Sequence, residues 1–282
     1  MSVREAPTLV DAPASTAMPG ERSRPARGHR RRRGREVPPL RGLLPLIVLL
    51  VVWQLVQHGQ SAYFPRPSLW WDKVDAQWTS GALGPAIRTT LEAFVWSLLI
   101  ATFLGTLLGI AVGRSRALDR SLGPTLDFCR FMPAAAVVPI VVLFAGYTEK
   151  MTIFVVVFAA IWPILLQVRD AMRAQSALLS DVARSLHLGR VRTVRNITLP
   201  SLVPAILLGL RVAAPMVLIV VLLVEIVTQT GGLGRIISQA QQNFDAATAY
   251  GILAIAGLFG VAINAIVSVV EGRLLRYRSD GE

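Results

Sequence analysis

The 282-residue sequence contains too little cysteine, histidine and lysine for several kinds of chemistry. The single cysteine, Cys129, excludes a disulfide within the chain, and with only three histidines no Cys/His zinc site is expected. The only two lysines, Lys73 and Lys150, follow acidic residues, whereas the lysine of a P-loop follows a glycine. The sequence therefore predicts no disulfide framework, no metal site and no nucleotide cofactor bound by this chain.

Charge is scarce as well, because only 16% of the residues are charged while 53% are hydrophobic and the mean hydropathy is +0.54. A soluble domain of this size carries a more polar surface, so lipid is the expected surrounding. The beginning of the chain differs: it is rich in Pro, Ala, Ser and Arg and includes four consecutive arginines at 30–33. Such a composition cannot bury a core. Residues 1–41 are therefore predicted to form a disordered, basic cytoplasmic tail.

Six apolar segments follow the tail. A helix needs about 20 mostly apolar residues to cross the hydrocarbon core of a membrane, and each segment meets or approaches that length. The sequence thus predicts an all-α integral membrane protein with about six transmembrane helices, with the first helix and an outer loop over residues 42–81. The predicted segments are 43–57, which is the shortest, 89–113, 131–148, 151–168, 199–226 and 246–270.

The distribution of arginine predicts the orientation. Most of the 29 basic residues fall in the tail, in the predicted loops 114–130 and 169–198, and in the C-terminal tail 276–282. Short cytoplasmic loops carry the positive excess, so the chain is expected to lie in the cell membrane with both termini on the cytoplasmic side. The net charge of +12 is then explained by topology, and no nucleic-acid partner is predicted because no basic face carries interleaved aromatics. The basic residues on the other side are Arg66, Lys73, Arg88, Lys150 and Arg235.

The predicted cytoplasmic loop 169–198 contains a short amphipathic helix. Leu179, Val182, Ala183 and Leu186 recur at helical spacing, and arginines surround the apolar face they form. A helix of this kind needs a protein groove or a membrane surface to cover that face.

This loop resembles a motif of binding-protein-dependent ABC importers, in which an acidic residue and two small residues precede a glycine and Ile-x-Leu-Pro follows. This sequence differs from the family motif at Asp181, Val182 and His187, but the spacing of the motif residues is the same. Histidine tolerates positive φ and Gly189 follows two residues later, so a helix end is still expected here. The matching residues are Asp181, Val182, Ala183, His187 at the glycine position, Ile197, Leu199 and Pro200.

The resemblance extends over residues 82–275 and is greatest to the sulfonate, nitrate and taurine branch of these permeases. It implies a type I ABC importer permease whose loop 169–198 docks on a cytoplasmic ATPase. It also implies two ATPase copies that bind the ATP, a second permease copy forming a homodimer, an extracytoplasmic binding protein and a small, anionic solute. The further residues that carry it are Arg130, Pro133, Pro139, Leu210, Arg211, Glu225, the glycines of 231–234, and Glu271.

Two ionisable residues lie in or at the edge of the fifth segment, where charge is costly. Arg211 and Glu225 are about 21 Å apart along a helix and cannot pair with each other, so each needs another partner. Both the structural interpretation and a place on the translocation path stay open for them. An ion-gradient-driven secondary transporter is the alternative function, but it predicts acidic or histidine residues inside segments three, four and six, which have none.

Three glycines spaced four apart, Gly105, Gly109 and Gly113, lie near the cytoplasmic end of the second segment. Small residues at this spacing allow helix backbones to approach closely in membranes. A helix-packing role is predicted for them.

Overall fold

A computed structural model describes residues 39–57, 61, 63–175, 185, 187 and 189–279 of the chain. The regular structure in these ranges is helical, which agrees with the predicted all-α class. A π-helical turn, Val194–Thr198, joins α7 to α8. The helices are α1 (Pro39–Val56), α2 (Pro67–Thr79), α3 (Leu83–Arg114), α4 (Arg116–Phe131), α5 (Ala134–Ala145), α6 (Glu149–Ala174), α7 (Arg190–Thr193), α8 (Leu199–Thr228), α9 (Gly232–Gln242) and α10 (Ala246–Ser279).

The chain divides into two compact units, Met1–Leu46 and Ile47–Glu282. In the first unit the described residues are 39–46, and they are helical. The α1 helix therefore begins inside the predicted tail 1–41. Residues 1–38 of that tail lie outside the described ranges. The second unit holds the other helices. At its end α10 continues to Ser279, past the predicted start of the C-terminal tail at 276.

Four helical stretches are long and apolar enough to cross a membrane: Leu83–Arg114, Glu149–Ala174, Val194–Thr228 and Ala246–Leu274. They coincide with the second, fourth, fifth and sixth predicted segments. The bent pair α4 and α5, with 94° between its helices, adds a fifth crossing if it counts as one span. The described chain therefore supplies four or five candidate spans, against the six that the sequence analysis predicted.

The third predicted segment, 131–148, is shorter as a helix than the sequence suggested. Pro133 stands before α5 in an extended conformation, and Gly146 ends the helix at φ 65°. A proline biases the residue before it away from helix, and glycine tolerates positive φ. These two residues limit α5 to 12 residues. The apolar part of α1 is likewise short, at Leu44–Val56.

The core of the second unit is built by α3 on α6 and by α6 on α8. A Cβ atom placed on Gly109 of α3 would lie 2.8 Å from the carbonyl oxygen of Leu165 and 2.8 Å from Cβ of Val168. On the other side of α6, a Cβ on Gly209 of α8 would lie 2.8 Å from Cα of Ile164. The three backbones approach so closely only because glycine occupies these positions, which confirms the packing role predicted for Gly105, Gly109 and Gly113.

Three further helices, α2, α4 and α9, are not long and apolar enough to cross a membrane on their own, and they form between the predicted segments. The α4 helix begins at the end of α3, where Ser115 caps it by accepting a hydrogen bond from the amide of Leu118 at 3.3 Å. Its sequence alternates apolar and charged residues at helical spacing, and its length and polarity are those of a surface helix rather than a span.

An ion pair ties α2 to the start of α10. Lys73 Nζ lies 2.9 Å from Asp245 Oδ2, and the same carboxylate accepts hydrogen bonds from the amide and hydroxyl of Thr248. Burial alone raises the pKa of Asp245, but the hydrogen bonds from Lys73 and Thr248 together bring this pKa below its usual value. The carboxylate therefore stays ionised at neutral pH as the cap of α10.

Replacing Gly109 with alanine is expected to force α3 away from α6, because the nearest atoms are the carbonyl oxygen of Leu165 and the stiff β-branched side chain of Val168 rather than the ends of flexible side chains. Overpacking of this kind costs about 1–3 kcal/mol. The matched control is Gly257→Ala on α10, where a new Cβ meets nothing within 4 Å. Thermal unfolding of the purified variants in detergent should show a lower midpoint for Gly109→Ala alone. Equal midpoints would contradict the packing argument.

Candidate functional site

The predicted coupling loop is described only in part. Asp181, Val182, Ala183 and Leu186 lie outside the described residues, so their predicted role stays a prediction. His187, Gly189, Ile197, Leu199 and Pro200 are described. His187 is exposed and has φ 48°, the left-handed conformation that the sequence analysis expected the histidine to tolerate.

A new helical run starts at Gly189, two residues after that turn. The carbonyl of Gly189 accepts the amide of Thr193 at 3.0 Å and its hydroxyl at 3.2 Å. The run then passes from α7 through the π-helical turn into α8. Leu199 donates its amide to the carbonyl of Val194, and Pro200 lacks the N–H that would continue an α-helical ladder. The motif residue Ile197 is half-buried, whereas Leu199 and Pro200 are exposed.

The two ends of segment 176–198 are joined to each other. Gln175 follows the last turn of α6, and its Nε2 donates to Ser201 Oγ in the first turn of α8 at 2.6 Å. Ser201 Oγ in turn donates to the carbonyl of Thr198 at 2.8 Å. The segment thus leaves one candidate span and enters the next at a hydrogen-bonded junction.

A buried acidic residue anchors the same end of α6 to α4. Asp119 Oδ1 lies 2.6 Å from Nε of Arg169, and Oδ2 lies 2.6 Å from Nη1 of Arg173. The first pair is close but is not aligned as a hydrogen bond. Only 8% of the Asp119 side chain is exposed, so removal of this carboxylate would leave two arginines facing each other. The sequence analysis missed this cluster. The available signal was an acidic residue four positions after Ser115 in a loop that is rich in arginine.

Glu225 lies at the opposite end of α8 and is fully engaged with its neighbours. Its carboxylate accepts the hydroxyl of Thr90 on α3, with oxygen distances of 2.9 and 3.0 Å, and the amide of Gly234 on α9 at 2.9 Å. Thr90 Oγ1 also accepts the amide of Leu233 at 2.9 Å. With 2% of Glu225 exposed, this cluster fixes the start of α9 against α3 and α8.

Two glycines make room for that carboxylate. Gly232 has φ 72°, and a Cβ placed there would overlap the carboxyl group of Glu225. A Cβ on Gly234 would lie 2.5 Å from Cβ of Glu225. The glycine-rich stretch 231–234 is therefore shaped around Glu225, and these contacts favour the structural interpretation of this residue.

Arg211 is too far from Glu225 to pair with it, and it pairs with a residue of α10 instead. Its Nη1 lies 3.4 Å from Oε2 of Glu271 on α10. The Arg211 side chain is about half exposed and that of Glu271 is 22% exposed. An ion pair within apolar helices lowers the cost of both charges. This contact supports a structural role for Arg211 and links α8 to α10.

Comparison with known proteins decides the family. A family model described as "Binding-protein-dependent transport system inner membrane component" matches residues 101–276, which include the junction, the Asp119 cluster and Glu225. The chain belongs to this family. It is therefore an inner-membrane permease of the ABC importer type, a transport component rather than an enzyme.

Several known permeases resemble the chain over most of its length. A nitrate import permease protein, NrtB, of Synechococcus elongatus is 30% identical over 84% of this chain and 91% of its own length. A putative aliphatic sulfonates transport permease protein, SsuC, of Bacillus subtilis is 25% identical over 86% of this chain and 89% of its own. A bicarbonate transport system permease protein, CmpB, of Synechocystis is 28% identical over 76% and 80%.

The fold also has a solved counterpart. A chain of the MetNI methionine ABC transporter, solved in inward-facing conformations, superimposes with a TM-score of 0.62 and 17% identity, covering 70% of this permease and 98% of that chain. This similarity supports the type I importer fold.

Replacing Thr90 with valine is expected to loosen the start of α9. The isosteric change removes a donor from the Glu225 carboxylate and an acceptor from the Leu233 amide, and each buried group left unpaired costs about 1–3 kcal/mol. Hydrogen exchange read by mass spectrometry should show faster exchange over residues 231–236. Thr102→Val is the control, because that hydroxyl bonds only to Leu98 in its own helix. Equal protection of residues 231–236 in both variants would contradict the claim that Thr90 holds the start of α9.

Proposed function

We propose that this permease moves a small solute into the cell and is driven by ATP that a separate cytoplasmic ATPase subunit binds and hydrolyses. The observation that carries the proposal is the family match over residues 101–276, which covers the end of α3, the three later candidate membrane spans and the segment between α6 and α8. In this proposal two ATPase copies serve a permease homodimer, and an extracytoplasmic binding protein delivers the solute. Both termini face the cytoplasm.

The segment 176–198 would receive the motion of the ATPase. At the end of α6, Arg169 and Arg173 pair with Asp119 of α4. The Gln175–Ser201 hydrogen bond joins this end of α6 to the start of α8. Because these contacts involve the ends of α6 and α8, a force on the segment would move both helices together with α4. Packed helices switch between discrete arrangements rather than deforming smoothly, so such a junction suits a lever.

The names of the relatives support a proposal for the solute class. The permeases that resemble this chain are named for aliphatic sulfonates, nitrate and bicarbonate. We therefore propose a small acid of the sulfonate, nitrate or taurine kind. The alternative, a secondary transporter driven by an ion gradient, finds little support, because the buried acidic residue Glu225 is held by Thr90 and Gly234.

Deleting residues 181–195 is expected to leave membrane insertion intact and to abolish ATP-driven uptake. Cells that express the permease with its partner subunits would be tested for uptake of radiolabelled taurine, an alkanesulfonate and nitrate. Persistent uptake of the transported solute by the deletion variant would show that the coupling assignment is wrong.

A pair of point variants sharpens this test. Leu186→Asp places a charge on the predicted apolar face and should lower uptake at least tenfold, because that face is expected to be covered by the ATPase. Ser185→Asp adds the same charge at the neighbouring exposed residue and should leave most of the uptake. Similar loss in both variants would point to a general charge effect instead.

A further inference from the structure

A cavity of about 190 Å³ lies where α3 and α6 begin and α8 ends, remote from segment 176–198. In the predicted orientation this is the extracytoplasmic end, from which a delivered solute would enter. The groups that determine its chemistry are Glu92 and Trp96 of α3, Glu149 and Thr152 of α6, Glu225 of α8, and Thr230.

The lining of this cavity accepts hydrogen bonds and carries negative charge. Three of the lining residues are glutamates, and none of the described residues that line it is lysine, arginine or histidine. Arg88 pairs with Oε1 of Glu92 at 2.7 Å, but this arginine is mostly exposed and does not line the cavity. Glu225 uses both oxygens on Thr90 and Gly234. Glu149, in the first turn of α6, remains free to face a ligand.

An unpaired hydroxyl in the wall independently indicates a ligand. Thr152 is 3% exposed, and its Oγ1 has no hydrogen-bond partner within the described part of the chain. A buried hydroxyl left unpaired costs about 1–3 kcal/mol, so a partner is expected when the site is in use. Oγ1 can accept a hydrogen bond from a ligand while it donates its own proton to a carboxylate.

The carboxylates and the unpaired Thr152 hydroxyl determine which kind of chemical group can bind in the cavity. A bare anion would be repelled by the carboxylate of Glu149, for which no partner is found among the described residues, and no lysine, arginine or histidine of the lining would offset that repulsion. A metal ion is a poor match, because the described residues contain no cluster of three or more His, Cys, Asp or Glu side chains placed to hold one. An ammonium group supplies hydrogen-bond donors and positive charge, and the indole ring of Trp96 attracts cations.

We propose that this cavity binds the ammonium group of a small amine-bearing solute. The inference rests on the proposed function, since it narrows the class of solute that the permease carries. Among small acids, a molecule that also carries an amine suits the lining, whereas nitrate and bicarbonate do not.

The test compares three probes of equal carbon length on the purified full-length chain: propylammonium, propionate and propanol. Saturation-transfer NMR measures weak binding of each probe without ATPase or binding protein. Propylammonium should bind saturably to the wild type, and propionate and propanol should bind at least tenfold more weakly. No saturable binding of propylammonium, or equal binding of propionate, would overturn the proposal.

Variants then place the probe in the cavity. Glu149→Gln and the isosteric Thr152→Val should each weaken propylammonium binding about tenfold. Asp75→Asn on α2 is the charge-matched control, because it removes one exposed carboxylate away from the cavity, and its binding should stay within twofold of the wild type. Thermal unfolding checks that each variant is folded.

The proposal is overturned if binding survives both cavity substitutions or falls equally in Asp75→Asn. Because this assay requires neither ATPase nor uptake, its failure would leave the proposed transport function standing. Conversely, loss of ATP coupling in the uptake assay would leave the binding result unchanged.

Discussion

The close approach of α3, α6 and α8 is the constraint on which the rest of the permease depends. In a membrane, helices are not driven together by exclusion from water, so association requires intimate packing, and glycine permits it. Gly109 meets the backbone of α6 at Leu165, and Gly209 meets the opposite side of α6 at Ile164. Because α6 is held between the other two helices, the ends of all three are fixed relative to one another. The clusters around Asp119, Gln175 and Glu225 are built on those ends.

The polar contacts differ between the two ends of the bundle formed by α3, α6 and α8. At one end, the carboxylate of Asp119 pairs with Arg169 and Arg173, and the Gln175–Ser201 hydrogen bond joins the two ends of segment 176–198. At the other end, Glu225 and Thr90 hold the start of α9, and beside them an acceptor-rich cavity opens. If the segment receives force from an ATPase and the cavity binds solute, as we propose, the three packed helices provide the rigid connection between them.

Much of this architecture could be predicted from the sequence because membranes impose simple rules. Long apolar runs identified the four helical stretches with span length, and the spacing of Gly105, Gly109 and Gly113 predicted close packing. The length of α5 could not be predicted from hydropathy, since Pro133 and Gly146 act through local backbone conformation. The partners of Glu225 and Arg211 also required three-dimensional contacts: the sequence shows that these two residues are too far apart to pair, but not that Thr90 and Glu271 lie beside them.

The measurement that tests the central claim most directly is co-purification of this permease with its ATPase from detergent extracts of its own cells. A P-loop ATPase should accompany the wild-type chain and should be absent from a chain that lacks residues 181–195 but still inserts into the membrane. That result would support both the subunit partnership and the docking role of the segment. If no ATPase accompanies the wild-type chain under conditions that preserve its fold, the account of an ATP-driven permease is contradicted.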